Sequence, residues 1–132
     1  GDPAGCRTLG RFLDPINKRR YHLQLVVNTS RPFTSNPEEI SVMIQMLEAA
    51  SKLKVSELIC NTNLMELTNQ ALVEEGICMV SEAAAMHDLI FTKYLVLDEY
   101  KDLVPEGLGG KQRIVMSYTL KKPWEHLVMK GI

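Results

Sequence analysis

Four short apolar stretches recur along the chain, and polar or turn-forming residues follow each of them. These stretches are Tyr21–Asn28, Val55–Cys60, Phe91–Leu97 and Gln112–Leu120. Short apolar runs closed by residues such as Asn, Thr, Ser and Asp are typical of β-strands. A strand that is apolar on both faces indicates a parallel sheet covered by helices. The pattern therefore predicts four strands, most of them parallel.

The clearest helix signal lies between the first two stretches. Asn36 is a capping residue, Pro37 suits the first helical position, and Glu39 stands three residues after Asn36, as in a capping box. Apolar residues then follow the helical spacing, at Ile40, Met43, Ile44, Leu47, Ala50 and Leu53. Acidic residues open the segment and Lys52 and Lys54 close it, which matches the helix dipole. We predict a helix from residue 37 to about 54.

Weaker signals complete the order of elements. Thr68 to about His87 has helical composition, with Gly76 as a potential break or kink, and Asp98–Leu108 is predicted to hold a short helix. The first 20 residues contain Pro3, Gly5, Gly10 and Pro15, so we predict loop there, with a short helix around Arg7–Leu13.

Alternating strands and helices predict the fold class. We expect an α/β fold with three layers, in which a mostly parallel sheet has helices on both faces. The chain of 132 residues contains no repeat, low-complexity segment or linker, so residues 1–132 are predicted to form a single domain.

Composition excludes several classes of protein. The net charge is −1, and Lys18-Arg19-Arg20, the one basic run, is typical of a solvated surface, so nucleic-acid binding is not expected. No apolar run is long enough to span a bilayer. Cys6, Cys60 and Cys78 form no metal-binding pattern with the histidines, and the last two have aliphatic neighbours. These features predict a cytoplasmic protein without a metal site.

Polar residues follow the predicted strands at Asn28-Thr29-Ser30-Arg31, Asn61-Thr62-Asn63 and Asp98-Glu99. The carboxyl ends of parallel strands share one edge of the sheet, where such folds bind ligands. The same residue types also end strands simply because they form turns, and the two interpretations are about equally supported. No nucleophile–histidine pattern is present, and Gly107–Gln112 lacks the Ser or Thr that follows the lysine of a phosphate-binding loop.

Several strings resemble, in order, segments of the CobQ/CobB/MinD/ParA-like family of P-loop nucleotide-binding proteins. They are Gly1-Asp2-Pro3-Ala4-Gly5 with Leu9-Gly10-Arg11, Val26-Val27-Asn28, Arg31-Pro32-Phe33-Thr34, Pro37-Glu38-Glu39, Glu48-Ala49-Ala50-Ser51-Lys52-Leu53, Asn61-Thr62-Asn63-Leu64 with Thr68, and Lys122-Pro123-Trp124-Glu125. The resemblance extends over nearly the whole chain.

The resemblance implies an ATP-binding fold whose phosphate loop and magnesium-supporting Asp would lie before Gly1. Gly1, with Asp2 beside it, would match the switch that senses the γ-phosphate. Asn61 would contact the adenine base, with Asn63 as the alternative, and Arg31 would lie near the cleft. ATP and magnesium are thus implied for a longer parent protein, of which this chain would be the C-terminal part.

The missing phosphate loop limits what we expect of the chain alone. Backbone phosphate contacts, the loop lysine and magnesium supply most of the stabilisation in such ATPases, so we expect weak nucleotide binding and no hydrolysis. An uncovered sheet edge would favour self-association. The alternative is a non-catalytic interaction or regulatory module. A small-molecule enzyme of another α/β type is a third option, without a catalytic group to support it.

Overall fold

The computed structural model describes residues 2–120, and these form four strands, four α-helices and four 3₁₀ segments. The strands are β1 (Gln24–Val27), β2 (Glu57–Cys60), β3 (Ile90–Leu97) and β4 (Gln112–Met116). The α-helices are α1 (Pro3–Cys6), α2 (Leu13–Lys18), α3 (Pro37–Ser51) and α4 (Gln70–His87). The 3₁₀ segments are Arg7–Phe12, Met65–Leu67, Asp98–Tyr100 and Leu108–Gly110. The family-like string at residues 122–125 lies outside the described residues.

All four strands are parallel and follow one another across the sheet in the order β1-β2-β3-β4. Parallel neighbours need a crossover connection, which α3 supplies between β1 and β2 and α4 supplies between β2 and β3. The predicted α/β class with a parallel sheet is confirmed, and the arrangement is consistent with a three-layer α/β fold. All strands therefore end at one edge, with β1 and β4 as the outer strands.

The start of α3 follows its local sequence. The side-chain oxygen of Asn36 accepts a hydrogen bond from the backbone N–H of Glu39 at 2.8 Å, as predicted. The Glu39 carboxylate accepts from the backbone N–H and the hydroxyl of Ser35, both at 3.0 Å, so it ties down the residue before the cap. The helix ends three residues before the predicted residue 54, because Lys52 adopts a left-handed conformation with φ 61° and its N–H donates to the Glu48 carbonyl.

Helix α4 begins at its cap Asn69 and runs through Gly76 without interruption, so the expected break is wrong. Glycine is needed at this position because α4 lies close to neighbouring side chains, and not because the helix has to bend. A Cβ atom at position 76 would lie 2.8 Å from the hydroxyl oxygen of Thr29 and would clash with the side chain of Thr62. Because Gly76 has no side chain, α4 can lie directly against the loops that follow β1 and β2.

The prediction that residues 1–20 are mainly loop is also wrong, because α1, a 3₁₀ segment and α2 occupy residues 3–18. Asp2 caps α1 by accepting a hydrogen bond from the N–H of Gly5 at 3.0 Å, and Pro3 occupies the first helical position. Pro15 lies in the first turn of α2, where its missing N–H removes no helical hydrogen bond. Proline is therefore compatible with helix at both places.

The core lies between the sheet and the two long helices. Its fully buried side chains include Val27, Leu58, Tyr94, Ile40, Ile44, Val73 and Val80. The Tyr94 hydroxyl lies inside this core and is paired twice: it donates to the carbonyl of Pro105 at 2.6 Å and accepts from the N–H of Leu108 at 3.2 Å. These bonds fix the crossover before β4. Within residues 2–120, no helix has the length and apolar character needed to cross a membrane.

Candidate functional site

The loops after β1 and β2 are hydrogen-bonded to each other at the carboxyl edge of the sheet. The Asn28 side-chain nitrogen donates to the carbonyl of Asn63 at 3.0 Å. Its side-chain oxygen accepts from the N–H groups of Ser30 at 2.9 Å and Asn63 at 3.2 Å. The Asn63 side-chain oxygen in turn accepts from the N–H of Met65 and the hydroxyl of Thr68. Both asparagines therefore stabilise the loops.

A second, buried group of polar side chains lies beneath these loops. The hydroxyl oxygens of Thr29 and Thr62 are 2.6 Å apart, and the Cys60 sulfur is 3.3 Å from the Thr62 hydroxyl oxygen. Burial raises the pKa of the Cys60 thiol, and hydrogen bonds with Thr62 offset only part of that effect. Cys60 thus stays protonated near neutral pH, as expected of a small buried apolar residue. Cys78 differs from the prediction, because it is exposed on α4.

The neighbouring part of the same edge is open. A cleft of about 250 Å³ is formed where β2, β3 and β4 end. Its lining comprises Asn61, Asn63, Leu95, Val96, Leu97, Met116, Ser117, Tyr118, Thr119 and Leu120. The Asn61 backbone N–H donates to the Val27 carbonyl at 2.7 Å, whereas its half-buried amide has no hydrogen-bond partner among residues 2–120. The cleft thus combines an unused amide with apolar walls, as small-ligand sites do.

The predicted site residues do not all meet in this cleft. Asn61 and Asn63 both line it. Arg31 is exposed and lines a separate cleft of about 220 Å³ beside β1, together with Asn28 and Pro32. Asp2 is occupied as the cap of α1, and Gly1 lies outside the described residues.

The third polar loop predicted for this edge contributes less than expected. The Asp98 carboxylate forms an ion pair with the Lys101 ammonium group at 2.9 Å, and neither Asp98 nor Glu99 lines the cleft. Apolar residues from the ends of β3 and β4, above all Leu97, Met116 and Tyr118, take that place, and sequence reasoning missed them. The signal available was that Leu97 ends a predicted strand, where ligands bind in such sheets. Met116 and Tyr118 fall inside the predicted strand Gln112–Leu120, which in the structure ends at Met116.

The acidic and sulfur-containing residues do not form a metal centre in the part of the chain that the structure describes. No group of three or more His, Cys, Asp or Glu side chains there is placed to hold a metal ion. The donor set at the cleft consists of amide and hydroxyl groups, which do not fit a magnesium site because such sites use carboxylates. The described lining offers amide, hydroxyl and apolar groups and no cationic side chain.

Comparison of the chain with protein-family models, with curated proteins and with solved structures finds no match. The proposals on function therefore rest on the geometry described above and on the sequence resemblance.

Proposed function

We propose that this chain supplies the base-binding side of an ATP site, as the C-terminal part of a ParA/MinD-like nucleotide-binding protein acting in the cytoplasm. The observation that carries the proposal is the unused amide of Asn61 in the open cleft at the ends of β2, β3 and β4. An amide can donate to and accept from the edge of a purine at the same time. The apolar side chains of Leu97 and Met116 would pack against the base.

Asn61 is the base-contacting residue in this proposal, and Asn63 is the supporting one. The Asn63 side-chain oxygen already accepts two hydrogen bonds, from Met65 and Thr68. Turning this amide toward a ligand would leave those donors unpaired, which costs free energy for each group. Asn61 has no such commitment among the described residues, so it can bind a base without disturbing the loop.

The size of the cleft limits the ligand. At about 250 Å³ it is slightly smaller than typical small-ligand pockets of roughly 300–1,000 Å³, so it suits a base and not a whole nucleotide. The described residues around it supply no cationic side chain for the phosphates. We therefore propose weak ATP binding by this chain and no hydrolysis. ATP turnover, with magnesium, would require groups from a longer parent.

Isothermal titration calorimetry with Mg·ATP and with adenosine tests the proposal. We expect both ligands to bind with similar dissociation constants on the order of 1 mM, because the contacts are to the base. Asn61→Ala should weaken both by about fivefold, the loss of one or two hydrogen bonds. Gln45→Ala, which removes an exposed amide on α3, is the control. Absence of binding to adenosine, or equal binding by Asn61→Ala, would contradict the proposal and favour the alternative, a non-catalytic interaction or regulatory module.

We also propose that the outer edge of β1 promotes self-association. It is an outer strand with an exposed apolar residue, Val26, and its residues help to line two clefts. An unprotected strand edge pairs readily with another chain, and a lysine on an edge strand opposes such pairing. Sedimentation velocity should show association that increases with concentration and decreases in Val26→Lys. A monomer at all concentrations would refute this proposal without affecting the one for Asn61.

A further inference from the structure

A second surface, which shares no residue with the proposed nucleotide cleft, has the properties of a docking site. Phe33 is 74% exposed, and it lies beside two exposed apolar residues of α3, Val42 and Met46, which are 53% and 48% exposed. Together with Met43, Glu38 and Glu39 they line a groove of about 280 Å³, here called the α3 groove. An exposed apolar patch rimmed by polar residues is typical of interaction sites.

The backbone holds Phe33 in this exposed position. Its φ is +69°, in the left-handed region that is unfavourable for a bulky side chain. Hydrogen bonds fix the residues on both sides: the Thr34 hydroxyl donates to the carbonyl of Asn28 at 2.7 Å, and the N–H of Arg31 donates to the same carbonyl at 3.3 Å. An unfavourable conformation that keeps an aromatic ring in solvent indicates a role outside the fold.

The dimensions of the α3 groove match a short peptide segment. Glu38, Val42 and Met46 succeed one another every four residues on one side of α3, so the groove runs about 12 Å along the helix axis, or roughly two turns. Its volume is enough for two or three apolar side chains. An amphipathic helix docks in this way, by placing the apolar side chains of one face in a groove. The larger face of a folded domain would not be buried there.

Charge selects among the potential occupants. Both charged residues that line the groove are acidic, Glu38 and Glu39, and neither forms an ion pair within residues 2–120. A symmetric contact between two copies would bring four carboxylates together, which opposes a dimer through this surface. An apolar segment flanked by Lys or Arg would instead be complementary.

We propose that the α3 groove binds a basic amphipathic segment of a partner protein. Phe33, Val42 and Met46 make the apolar contacts, and the carboxylates of Glu38 and Glu39 favour a segment with basic residues. The proposal uses none of the cleft residues around Asn61. The two proposals can therefore fail separately.

Fluorescence anisotropy with the complete chain tests this inference. The probe is a labelled synthetic peptide with leucines at i, i+3, i+4 and i+7 and with lysine and glutamine elsewhere, and the matched probe has glutamate in place of lysine. We expect the basic probe to bind at least about tenfold more tightly than the acidic one, with an affinity that falls as salt is added. Equal binding of the two probes, or no binding of the basic probe, would overturn the proposal.

Variants locate the binding surface. Phe33→Asn introduces a residue that tolerates the left-handed conformation. The variant should therefore have an unchanged or higher melting temperature, while it binds the probe about tenfold more weakly. Met46→Gln and Glu38→Gln should weaken it about two- to fivefold. Met86→Gln and Glu82→Gln, at exposed positions of α4, are the matched controls and should bind normally. Equal losses in the controls, or a dimer that only groove variants dissociate, would overturn the proposal.

Discussion

The two halves of the sheet's carboxyl edge differ in how far their polar groups are satisfied. On the β1–β2 side, Asn28 and Asn63 use their side chains to join the two loops, and Gly76 lets α4 pack beneath them. On the other side, at the ends of β2, β3 and β4, Asn61 and Tyr118 line an open cleft. The same residue type, asparagine, thus has a structural role in one half and is free to bind in the other.

The difference shows why residue type alone does not identify a site. Asn28, Asn61 and Asn63 all follow strands, and all three are half-buried. Only their hydrogen bonds separate them, because a side chain whose donors and acceptors are occupied cannot bind a ligand without a cost to the fold. Four substitutions test this comparison, from the largest expected effect to the smallest.

Gly76→Ala should have the largest effect on the closed half. The added methyl group would overlap the side chains of Thr29 and Thr62, and overpacking of this kind lowers the free energy of unfolding by about 2–3 kcal/mol. Urea denaturation measures it. Gly10→Ala is the control, since a Cβ there meets no atom within 4 Å; it should be neutral or slightly stabilising. Similar values for both variants would mean that α4 does not need this close approach.

Asn28→Ala should have the second-largest effect, a loss of about 2 kcal/mol in unfolding free energy. It removes three hydrogen bonds and leaves the N–H groups of Ser30 and Asn63 without a partner. Asn28→Asp retains an acceptor for those two groups and loses only the donor to the Asn63 carbonyl, so it should cost less. If Asn28→Asp is as destabilising as Asn28→Ala, the acceptor bonds are not what joins the loops.

Cys60 should produce a smaller, pH-dependent effect in the same half. The pKa of the Cys60 thiol is raised in the folded state. Its stabilising contribution to the unfolding free energy is therefore fully present below the unfolded-state pKa of about 8.5, and it is lost as the pH rises from there through the folded-state pKa. The unfolding free energy of the parent chain should therefore fall more steeply above that pH than that of Cys60→Ala, by at most about 1.4 kcal/mol per pH unit.

Asn61→Ala should have the smallest effect on stability, within about 0.5 kcal/mol, because its amide has no partner among the described residues. Thermal and urea unfolding in the absence of ligand provide the comparison with Asn28→Ala. A loss as large as that of Asn28→Ala would show that the two halves of the edge are alike, and would remove the basis for treating Asn61 as a binding residue.

Much of the fold could be predicted from the sequence, because the signals concerned are local. Four apolar stretches closed by polar residues indicate the strands, and the cap Asn36 followed by Pro37 fixes the start of α3 to the residue. Proline and glycine were less informative near the amino terminus. Pro3 and Pro15 suit the first turn of a helix as well as a loop, and only the observed structure distinguishes the two.

The candidate site could be predicted only in outline. The sequence places polar residues after the strands and so indicates the edge where ligands bind. It does not decide between Asn61 and Asn63, and it does not indicate that Met116 and Tyr118 line the cleft. Those facts depend on which strands are neighbours and on which hydrogen bonds form across the loops.

By itself, then, the sequence determined the order of strands and helices, because caps, turns and apolar spacing act over a few neighbouring residues. The tertiary structure decided the use of each polar group. Thr29 and Thr62 are 33 positions apart in the chain, as are Leu23 and Ser56, whose backbone groups are hydrogen-bonded. Gly76 is required only because α4 meets both threonines. Such contacts join segments that are distant in sequence, and packing of the whole chain brings them together.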